Sequence, residues 1–595
     1  MIFDIIIIKI WGMIMFGKVI NLKDNCIVVE NVSKNVFLTL QGAHVVFPEK
    51  DRKVVGQIIY LDAKQFEINI IGEIVNNKFI SGVYKMPSGF EVPRIVNGAE
   101  LVTFIGNQDY MNHDTLLIGK SPLYDKYVVT ANFNDFFSNH FAIVGNSGYG
   151  KSCGVARIIQ NAFLLKNNVP RHAHIVLFDV YGEYHQAFSS FNDIDGLNYK
   201  VYKNDVSDNI IKIPPMFLDA DDLAILLDVD NAHLLPILEK SLYYVRIFKS
   251  DDDVSLKYKN SILSSVLLEI LSMGSNASTV RDQILSILER YSTVDINVNS
   301  SIYEPGYTRT LRQCLNIDAQ GKINAISLVI KFLKDFPKLN LKDFKEYPPM
   351  GYSLEDIYDA LEFSLLSEGI YQNEDMYEKA SVLKVRLEQI INGYYNEYFN
   401  YSGFITKEDF VKKLFLSDNG EEVQIINISL DNMEDRFAKV LTKIYCKLFF
   451  QFATNLDNRG SFPIHIILEE AHRYVNNDTD AMVIGYNIFD RITKEGRKYG
   501  VLLGLITQRP RELSHTALSQ CSNFLIFRVF HPDDFQMIEA MISSISREEL
   551  GKLKILRRGN ALCFGSAFAT PFLVQLDMPN PPPSSSNVKI TDTWY

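Results

Sequence analysis

An α/β core, preceded by a small β-barrel and interrupted by an α-helical insertion, is the architecture that this sequence predicts. Three observations lead to it. A glycine-rich loop at 145–152 directly follows an apolar run typical of a buried strand. Short β-rich segments, separated by Gly, Asn and Pro, fill residues 17 to about 110. Between about 205 and 415 the strand pattern gives way to helical periodicity.

The N-terminal barrel is predicted over residues 1–110. Its strands are expected at Val19–Leu22, Cys26–Val29, Val54–Leu61 and Phe66–Ile71. The first 16 residues are very apolar, but Asp4 and Lys9 interrupt a run that is already shorter than a membrane-spanning helix. We therefore expect a leading strand, or a start at Met13 or Met15, and no membrane anchor.

The first part of the core is predicted over 111–204 and contains a P-loop. Its residues are Gly145, Asn146, Ser147, Gly148, Tyr149, Gly150, Lys151 and Ser152, which fit G-x-x-x-x-G-K-[ST]. Backbone N–H groups in such a loop point at one anion, Lys151 reaches the β- and γ-phosphates, and the Ser152 hydroxyl ligates Mg²⁺. The motif predicts ATP and Mg²⁺ as ligands; a chance glycine turn is the competing interpretation.

The core is predicted to be interrupted by a helical insertion at 205–415 and to resume at 416–580. Apolar residues of the insertion recur at helical spacing, for example Leu223, Leu226 and Leu227. Further core strands are expected at 174–179, 423–428, 464–468, 501–507 and 524–529, and an amphipathic helix at 437–452. The last 15 residues, 581–595, begin Pro-Pro-Pro-Ser-Ser-Ser and are expected to form an extended tail outside the core.

Two carboxylates end the predicted strand at 464–468. In a P-loop enzyme, acids at such a strand end hold the Mg²⁺ shell and polarise the attacking water, since both must reach one γ-phosphate. Glu469 is assigned to the metal and Glu470 to the catalytic base; two ordinary surface acids are the alternative. His472 lacks the H-E-x-x-H spacing of a zinc site, so a structural role is expected. Asp179 and Glu183 are further acids beside the expected phosphate site, and their spacing leaves their roles open.

Two more polar residues flank the strand at 501–507. If that strand lies beside the acidic one, Gln508 at its end comes near the γ-phosphate and can sense it; an ordinary turn is the alternative. Arg497 precedes the strand at a helix-to-strand junction with two glycines. It is a candidate arginine finger for a neighbouring subunit, and a solvated charge cluster is the alternative.

Composition limits the partners. The chain has 71 acidic and 60 basic side chains and a net charge of −11. This argues against nucleic acid coating the outer surface but permits DNA inside a channel, where only the lining residues need be basic. Six scattered cysteines without a C-x-x-C pair indicate neither a disulfide framework nor a zinc ribbon and favour a cytoplasmic location.

Taken together, the motifs resemble the HerA family of hexameric DNA-translocating ATPases, which are related to the FtsK and conjugative-coupling motors. The likeness runs through the barrel, the P-loop and seven later segments: 179–184, 468–472, 495–500, 507–510, 518–523, 527–528 and 556–562. There are departures. Glu469 stands where aspartate is commoner in P-loop motors, and Val180-Tyr181 stands where Pro-His is frequent in the family.

The resemblance implies a RecA-like motor, a homo-hexamer with each active site at a subunit interface, and duplex DNA in the central channel. It also implies that Arg497 acts in trans, that Gln508 is the sensor and that Arg528 is a second phosphate-facing arginine. Family members act either in end resection with the nuclease NurA or in antiphage defence with a nuclease or a sirtuin-like NADase. The Asn-, Lys- and Ile-rich composition is typical of an AT-rich bacterial genome and favours the defence setting.

Two functions of different classes follow. The first is an ATP-driven duplex DNA translocase or helicase. The second is an assembly scaffold whose nucleotide cycle regulates an effector enzyme docked on the barrel. A monomeric signalling NTPase is a third possibility, and Arg497 argues against it because a finger needs a neighbour.

Overall fold

The computed structural model describes residues 16–594 except 24–25, 33–39, 90–91, 126, 165–168, 204–208, 273–275, 346–349, 368–373, 477–479, 542–546 and 585–589. The chain divides into two compact units. The first comprises residues 1–209, 411–477 and 487–595, and the second comprises 210–410 and 478–486. Within the described ranges, every helix is too short or too polar to cross a membrane. The expected leading strand at 1–15 lies outside these ranges.

The N-terminal segment forms an antiparallel sheet of seven strands. These are β1 (Phe16–Lys23), β2 (Cys26–Asn31), β3 (His44–Pro48), β4 (Lys53–Leu61), β5 (Gln65–Val75), β6 (Lys78–Ser81) and β7 (Arg94–Ile95). Their order is β1-β2-β5-β4-β3-β7, with β6 also paired to β5. The four predicted strands are thus present. The predicted barrel is not confirmed, because in the described residues β1 and β7 remain the two edges of an open sheet.

The course of β5 accounts for the open sheet. Its first half pairs with β2 at 65–69 and its second half pairs with the short β6 at 72–75. Register irregularities in the β4–β5 pair bend both strands. Closing a barrel requires a continuous stagger of full-length strands. A half-barrel results, with one face buried around Phe47, Ile58 and Phe66.

The opposite face of this sheet packs on the rest of the first unit. Val46, Val55 and Ile74 belong to the same buried cluster as Val129 and Phe572 of the larger sheet described next. The N-terminal sheet and the nucleotide-binding core therefore share one hydrophobic core. Burial of these side chains stabilises the two sheets together.

The remaining strands are β8 (Thr115–Lys120), β9 (Val128–Asn132), β10 (Phe141–Val144), β11 (Ile175–Asp179), β12 (Tyr199–Tyr202), β13 (Ser301–Glu304), β14 (Tyr307–Thr310), β15 (Ile425–Ser429), β16 (Ile464–Leu468), β17 (Val501–Thr507), β18 (Asn523–Ile526), β19 (Asn560–Gly565) and β20 (Phe572–Gln575). All but the β13–β14 hairpin form one sheet of eleven strands, in the order β12-β15-β11-β16-β17-β10-β18-β19-β20-β8-β9. The first seven are parallel and the last four add in antiparallel pairs.

This sheet is the α/β core that the sequence predicts. Near-continuous apolar strands such as β11 and β17 are buried along their whole length, as parallel strands covered on both faces require. Strand β17 lies between β10, which carries the P-loop, and β16, which carries the paired acids. Because parallel strands end at the same sheet edge, the three functional ends are neighbours.

The first unit also contains ten helices in its described residues. They span Gly98–Ile105, Phe133–Phe137, Lys151–Leu164, His185–Phe188, Asp435–Asn455, Ile488–Glu495, His515–Ser519, Pro532–Met541, Arg547–Lys552 and Ile590–Trp594. The predicted amphipathic helix at 437–452 lies within Asp435–Asn455 and buries Phe437, Leu441 and Phe449 among others.

The second unit is mainly helical. Its helices are Ala220–Leu226, Leu235–Lys249, Asp253–Ser272, Ala277–Tyr291, Leu311–Cys314, Ile326–Lys334, Leu354–Ser367, Glu374–Asn392 and Asp480–Ile484, with Lys407–Leu414 at its boundary. The apolar residues noted in the sequence, Leu223, Leu226 and Leu227, are all buried there. The β13–β14 hairpin is its strand pair.

The described start of the C-terminal tail, which was expected to lie outside the core, is hydrogen-bonded to it. Gln160 donates a hydrogen bond from Nε2 to the Pro581 carbonyl at 2.9 Å. The Ser584 backbone N–H donates to the Glu183 carbonyl at 2.8 Å, and Pro583 is buried. Proline-rich chain has no internal hydrogen bonds, so it readily takes partners from an adjacent surface.

Candidate active site

The P-loop joins β10 to the helix Lys151–Leu164. Gly148 has a φ of 77° and nothing within 4 Å of where a Cβ would stand, so the loop leaves open space on its inner side. The Asn146 backbone N–H donates to the Arg528 carbonyl at 2.9 Å, which fixes the start of the loop. The helix begins at Lys151, so its first N–H groups face the loop and can bind an anion.

A cavity of about 300 Å³ lies against this loop. It is lined by Ser147, Gly148, Gly150, Lys151, Ser152, Cys153, Tyr181, Glu183, Glu469, Glu470 and Arg558. Five of the eight predicted P-loop residues and both acids at the end of β16 therefore line one cavity. Gly145, Asn146 and Tyr149 shape the loop from outside the cavity wall.

Glu469 is the more deeply buried of the two acids at the end of β16. Its Oε2 accepts a hydrogen bond from the Val180 backbone N–H at 3.2 Å. Burial, followed by the nearby charges of Asp179, Glu183 and Glu470, raises the pKa of Glu469 well above its ordinary value. A carboxyl group in this position gains most from a cation that offsets the neighbouring negative charges.

Glu470 has the geometry of a strained functional residue. Its φ of 45° and ψ of 47° place a non-glycine residue in the left-handed region, at a cost of order 1 kcal/mol or more. One carboxylate oxygen, Oε2, is buried and has no hydrogen-bond partner among the described residues. A buried carboxylate oxygen without a partner is poised to accept a hydrogen bond from water or substrate.

His472 does not neutralise Glu470. Its Nδ1 lies 3.4 Å from Glu470 Oε2 but is 3.1 Å from the Thr507 hydroxyl. Burial lowers the pKa of His472, so the ring is neutral near pH 7. Burial also raises the pKa of Glu470, while Lys151 and the Gln508 backbone N–H oppose that shift. His472 is therefore a structural neighbour of the proposed base.

Asp179 and Glu183 have different roles, which the sequence left open. Asp179 is fully buried, and its carboxylate accepts hydrogen bonds from the backbone N–H groups of Glu183 and Tyr184, each at 3.0 Å, and from Asn427 Nδ2 at 3.1 Å. It holds the turn after β11. That turn places Glu183 on the cavity wall, where burial and then the charge of Asp179 raise the pKa of Glu183, while Ser152 opposes the shift.

Lys151 is the cation at the centre of this acidic group. Burial lowers its pKa, and the carboxylates of Glu470, Glu469 and Glu183 counteract that shift. Among the described residues, no group of three or more His, Cys, Asp and Glu side chains forms a ready metal cage. Mg²⁺ that binds together with a nucleotide needs only one or two protein ligands, because phosphates and water complete its shell.

Gln508 lies beside the P-loop. It follows β17 directly, and β17 pairs with both β10 and β16, so the expected strand neighbourhood is confirmed. The Ser147 hydroxyl of the P-loop donates a hydrogen bond to Gln508 Oε1. The Gln508 backbone N–H also opposes the rise in the pKa of Glu470, so Gln508 lies close to both the P-loop and this acid.

Arg497 is not brought into the cavity of its own chain. It is exposed on the turn Gly496–Lys498, which precedes β17, whereas the cavity lies at the opposite end of that strand. A seven-residue strand is roughly 20 Å long, farther than an arginine side chain reaches. Any contact of Arg497 with a γ-phosphate therefore requires a second subunit.

Arg528 stands beside the P-loop without lining the cavity. Its guanidinium lies over the rings of Tyr149 and Phe530, with 5.2 and 4.4 Å to the ring centres, and Nη1 donates to the Tyr149 hydroxyl at 3.3 Å. In this arrangement Arg528 supports the loop. Arg558, Tyr181, Glu183 and Cys153 line the cavity but were not among the predicted site residues. The Arg-Arg-Gly sequence at 557–559 was the available signal for Arg558.

The arrangement suits phosphoryl transfer to water. A phosphate cradle and Lys151 face an acid of raised pKa, and a second acid holds an unpartnered oxygen toward the same space. Such a site positions a nucleophile in line with a phosphoryl group and offsets the charge that develops.

Comparisons with known proteins give one consistent family. A family model described as helicase HerA, central domain, matches residues 117–348. The chain is 23% identical over 564 residues to a probable DNA double-strand break repair helicase HerA of Methanocaldococcus jannaschii, covering 93% of this chain and 94% of that one. It is 22% identical over 516 residues to the DNA double-strand break repair helicase HerA of Pyrococcus furiosus, covering 86% and 76%.

Among solved structures, the VirB4 protein of Thermoanaerobacter pseudethanolicus matches with a TM-score of 0.41 and 12% sequence identity. The match covers 78% of this chain and 97% of that chain.

Proposed function

Because the chain belongs to the HerA family of P-loop ATPases, we propose that it hydrolyses ATP to move along double-stranded DNA. The observation that carries the proposal is the convergence of Lys151, Ser152, Glu469 and Glu470 on one cavity at the P-loop. The DNA substrate is supported by the two relatives named above, whose names describe double-strand break repair helicases and which match most of this chain.

Each residue has one task in this mechanism. The P-loop N–H groups and Lys151 bind the β- and γ-phosphates, and Arg558 contributes a further cation on the cavity wall. Ser152 and Glu469 hold the Mg²⁺ shell, and Mg²⁺ when bound screens phosphate charge. Glu470 accepts a hydrogen bond from the attacking water through its free oxygen. The Gln508 side chain changes position when the γ-phosphate is present, and its hydrogen bond with Ser147 transmits that change to the P-loop.

The active unit in this proposal is a homo-hexamer. Arg497 projects from the edge of the sheet opposite the cavity, so its guanidinium completes the site of the adjacent subunit. The negative charge that develops on the transferred phosphoryl group is then stabilised by Arg497 only where two subunits are assembled. Hydrolysis in one subunit therefore depends on its neighbour. Duplex DNA occupies the central channel, where lysines and arginines from six subunits act together on the phosphates.

The N-terminal sheet is proposed as the docking surface for an effector, either a nuclease or a sirtuin-like NADase of an antiphage complex. Its edge strand β1 carries exposed Ile20 and Leu22, apolar side chains typical of partner contacts. The second candidate function, a nucleotide-regulated scaffold that activates this effector, is favoured by the core shared between the sheet and the motor. In the remaining alternative, a DNA end-resection motor, a NurA-type nuclease docks on the same surface.

ATP turnover tests the proposed activity. Purified protein should release phosphate from ATP in the presence of Mg²⁺, and linear duplex DNA should raise the rate severalfold, since DNA in the channel orders the subunit interfaces. Glu470→Gln provides the background rate. Turnover that is unchanged by duplex DNA at any ionic strength tested, but raised by the co-purified effector, would favour the scaffold.

A further inference from the structure

A second cavity, distinct from the nucleotide site, lies between the N-terminal sheet and the core sheet within the first unit. Its volume is about 150 Å³. Apolar side chains form most of its wall, including Leu123, Leu553, Leu556, Leu562 and Phe572. An apolar cavity of this volume accommodates a benzene ring.

Most polar groups of its wall already have partners. Gln57 donates from Nε2 to the Gly42 carbonyl at 3.1 Å, and Gln41 donates from Nε2 to the Ile59 carbonyl at 3.0 Å. The Ser121 hydroxyl accepts a hydrogen bond from the Tyr124 backbone N–H at 3.1 Å. These groups shape the cavity and are not available to a ligand without being displaced.

His44 is the exception. It lines the cavity, is only 2% exposed, and its Nε2 has no hydrogen-bond partner among the described residues. Its Nδ1 lies 2.9 Å from the Tyr124 hydroxyl. Burial, with a smaller contribution from Lys552, lowers the pKa of His44 to about 3, so the ring is neutral. A buried polar atom without a partner costs free energy that a ligand can recover.

Lys552 supplies a charge on the same wall. It forms no ion pair with an acidic side chain in the described part of the chain. Its Nζ lies 3.3 Å from the point where a Cβ on Gly42 would stand, so a larger residue at 42 would crowd the ammonium group. The Lys552 ammonium group, which has no acidic partner among the described residues, and the neutral His44 ring, whose Nε2 has no hydrogen-bond partner there, thus line one apolar cavity that is large enough for an aromatic ring.

We propose that this cavity binds a monocyclic aromatic carboxylate. The ring packs among the leucines and Phe572, and the carboxylate accepts hydrogen bonds from Lys552 Nζ and from His44 Nε2–H. The second bond uses the tautomer in which the Tyr124 hydroxyl donates to Nδ1. Charge-assisted hydrogen bonds at the edge of an apolar pocket give both affinity and orientation.

The site is connected to the nucleotide cavity through one short segment. Lys552, Leu553 and Leu556 line the ligand cavity, and Arg558, two residues further, lines the nucleotide cavity. The Gly559 backbone N–H donates to the Tyr149 carbonyl of the P-loop at 3.1 Å. Binding that positions this segment therefore alters nucleotide affinity, and nucleotide alters ligand affinity by the same factor.

Fluorine NMR of the full chain tests the site directly, with 4-fluorobenzoate as the probe. The wild-type protein should broaden and shift the probe signal in a saturable way. Lys552→Met should weaken binding roughly tenfold or more, because it removes the charged donor and keeps the apolar stem. Lys554→Met is the matched control, since Lys554 is exposed, stacks on Phe535 and does not line the cavity.

Leu573→Trp, which fills the cavity, should abolish binding in a protein whose circular dichroism is unchanged. A fluorescent ATP analogue should bind with altered affinity when wild-type protein is saturated with probe. Absence of saturable probe binding at millimolar concentration would overturn the proposal, as would equal binding by wild type and a folded Leu573→Trp protein. Equal affinity of the Lys552→Met and Lys554→Met proteins would overturn the carboxylate assignment. None of these binding measurements depends on ATP hydrolysis.

Discussion

Glu470 is the residue in which local strain and chemistry coincide. Its left-handed backbone and unpartnered oxygen occur together at the end of β16, opposite the amino end of the P-loop helix. Strain of this kind persists only where the surrounding structure holds the residue in place. The neighbouring Glu469 is held differently, by a backbone N–H and full burial, so the two adjacent acids are suited to different tasks.

Substitutions at Lys151 and Glu470 should separate binding from hydrolysis. Lys151→Ala should lose nucleotide affinity, because the lysine contacts phosphates in the ground state. Glu470→Gln should bind ATP with near-normal affinity but turn it over about 10²–10⁴-fold more slowly, because only the action on water is lost. Titration with a fluorescent ATP analogue and a phosphate-release assay measure the two properties. Near-normal turnover by the Glu470→Gln protein would refute the base assignment.

The raised pKa of Glu469 predicts how stability depends on pH. The folded protein binds a proton more tightly at Glu469 than the unfolded chain does, so the free energy of unfolding of ligand-free protein should fall as pH rises above about 4.5. Glu469→Gln removes the buried charge and should reduce this fall. Asp195→Asn is the control, since its side chain is fully exposed. Urea titrations between pH 5 and pH 8 test the comparison, and parallel pH profiles of wild type and Glu469→Gln would contradict it.

Among elements, β17 determines the layout of the site. Its position between β10 and β16 brings Gln508 to the P-loop, and the same strand keeps Arg497 at the far edge of the sheet. One strand therefore separates Gln508, which the proposed mechanism places at the site of its own subunit, from Arg497, which that mechanism assigns to the site of a neighbour. The turn held by Asp179 plays a similar part for Glu183.

The N-terminal sheet should melt together with the motor, because Val46 and Val55 share a buried cluster with the core sheet. Val55→Ala should lower the free energy of unfolding by about 1–3 kcal/mol. The change should lower the temperature at which a fluorescent ATP analogue is released, in step with the loss of circular dichroism. Ile20→Ala is the control, since Ile20 is 58% exposed on the same sheet. Nucleotide release that stays at the wild-type temperature in the Val55→Ala protein would show that the two parts are independent.

The sequence predicted the elements that local patterns determine. Apolar runs gave β16 and β17 with the observed bounds, and the P-loop motif placed the phosphate cradle. Open and closed sheets share the same alternation of residues, so the pattern at 17–110 could not distinguish a half-barrel from a barrel. Arg558 escaped prediction, and the role of Glu183 stayed open, because both depend on where distant segments of the chain meet, and residue spacing does not show that. Attachment of the tail likewise depends on Gln160, more than 400 residues away in the chain.

At the scale of the whole molecule, the arrangement of Arg497 predicts a shared active site. Arg497→Ala should bind ATP but hydrolyse it on the order of 10³-fold more slowly. Glu470→Gln subunits retain Arg497, and Arg497→Ala subunits retain Glu470. A mixed ring therefore contains some interfaces at which both residues are present. Phosphate release recovered on mixing two inactive proteins would support a site built from two chains. Failure of every mixing ratio, with subunit exchange demonstrated by mass, would mean that Arg497 acts within its own chain or only structurally.

Movement along DNA is the central claim, and displacement of a triplex tests it most directly. A fluorescent third strand annealed to linear duplex DNA is released only if a motor passes through its position. Wild-type protein with ATP and Mg²⁺ should release the strand, and release should be delayed in proportion to the distance of the triplex from the duplex end. Glu470→Gln should leave the triplex intact. A wild-type protein that hydrolyses ATP in the presence of the same DNA, yet never displaces the third strand, would contradict translocation and leave the regulatory scaffold as the function of the nucleotide cycle.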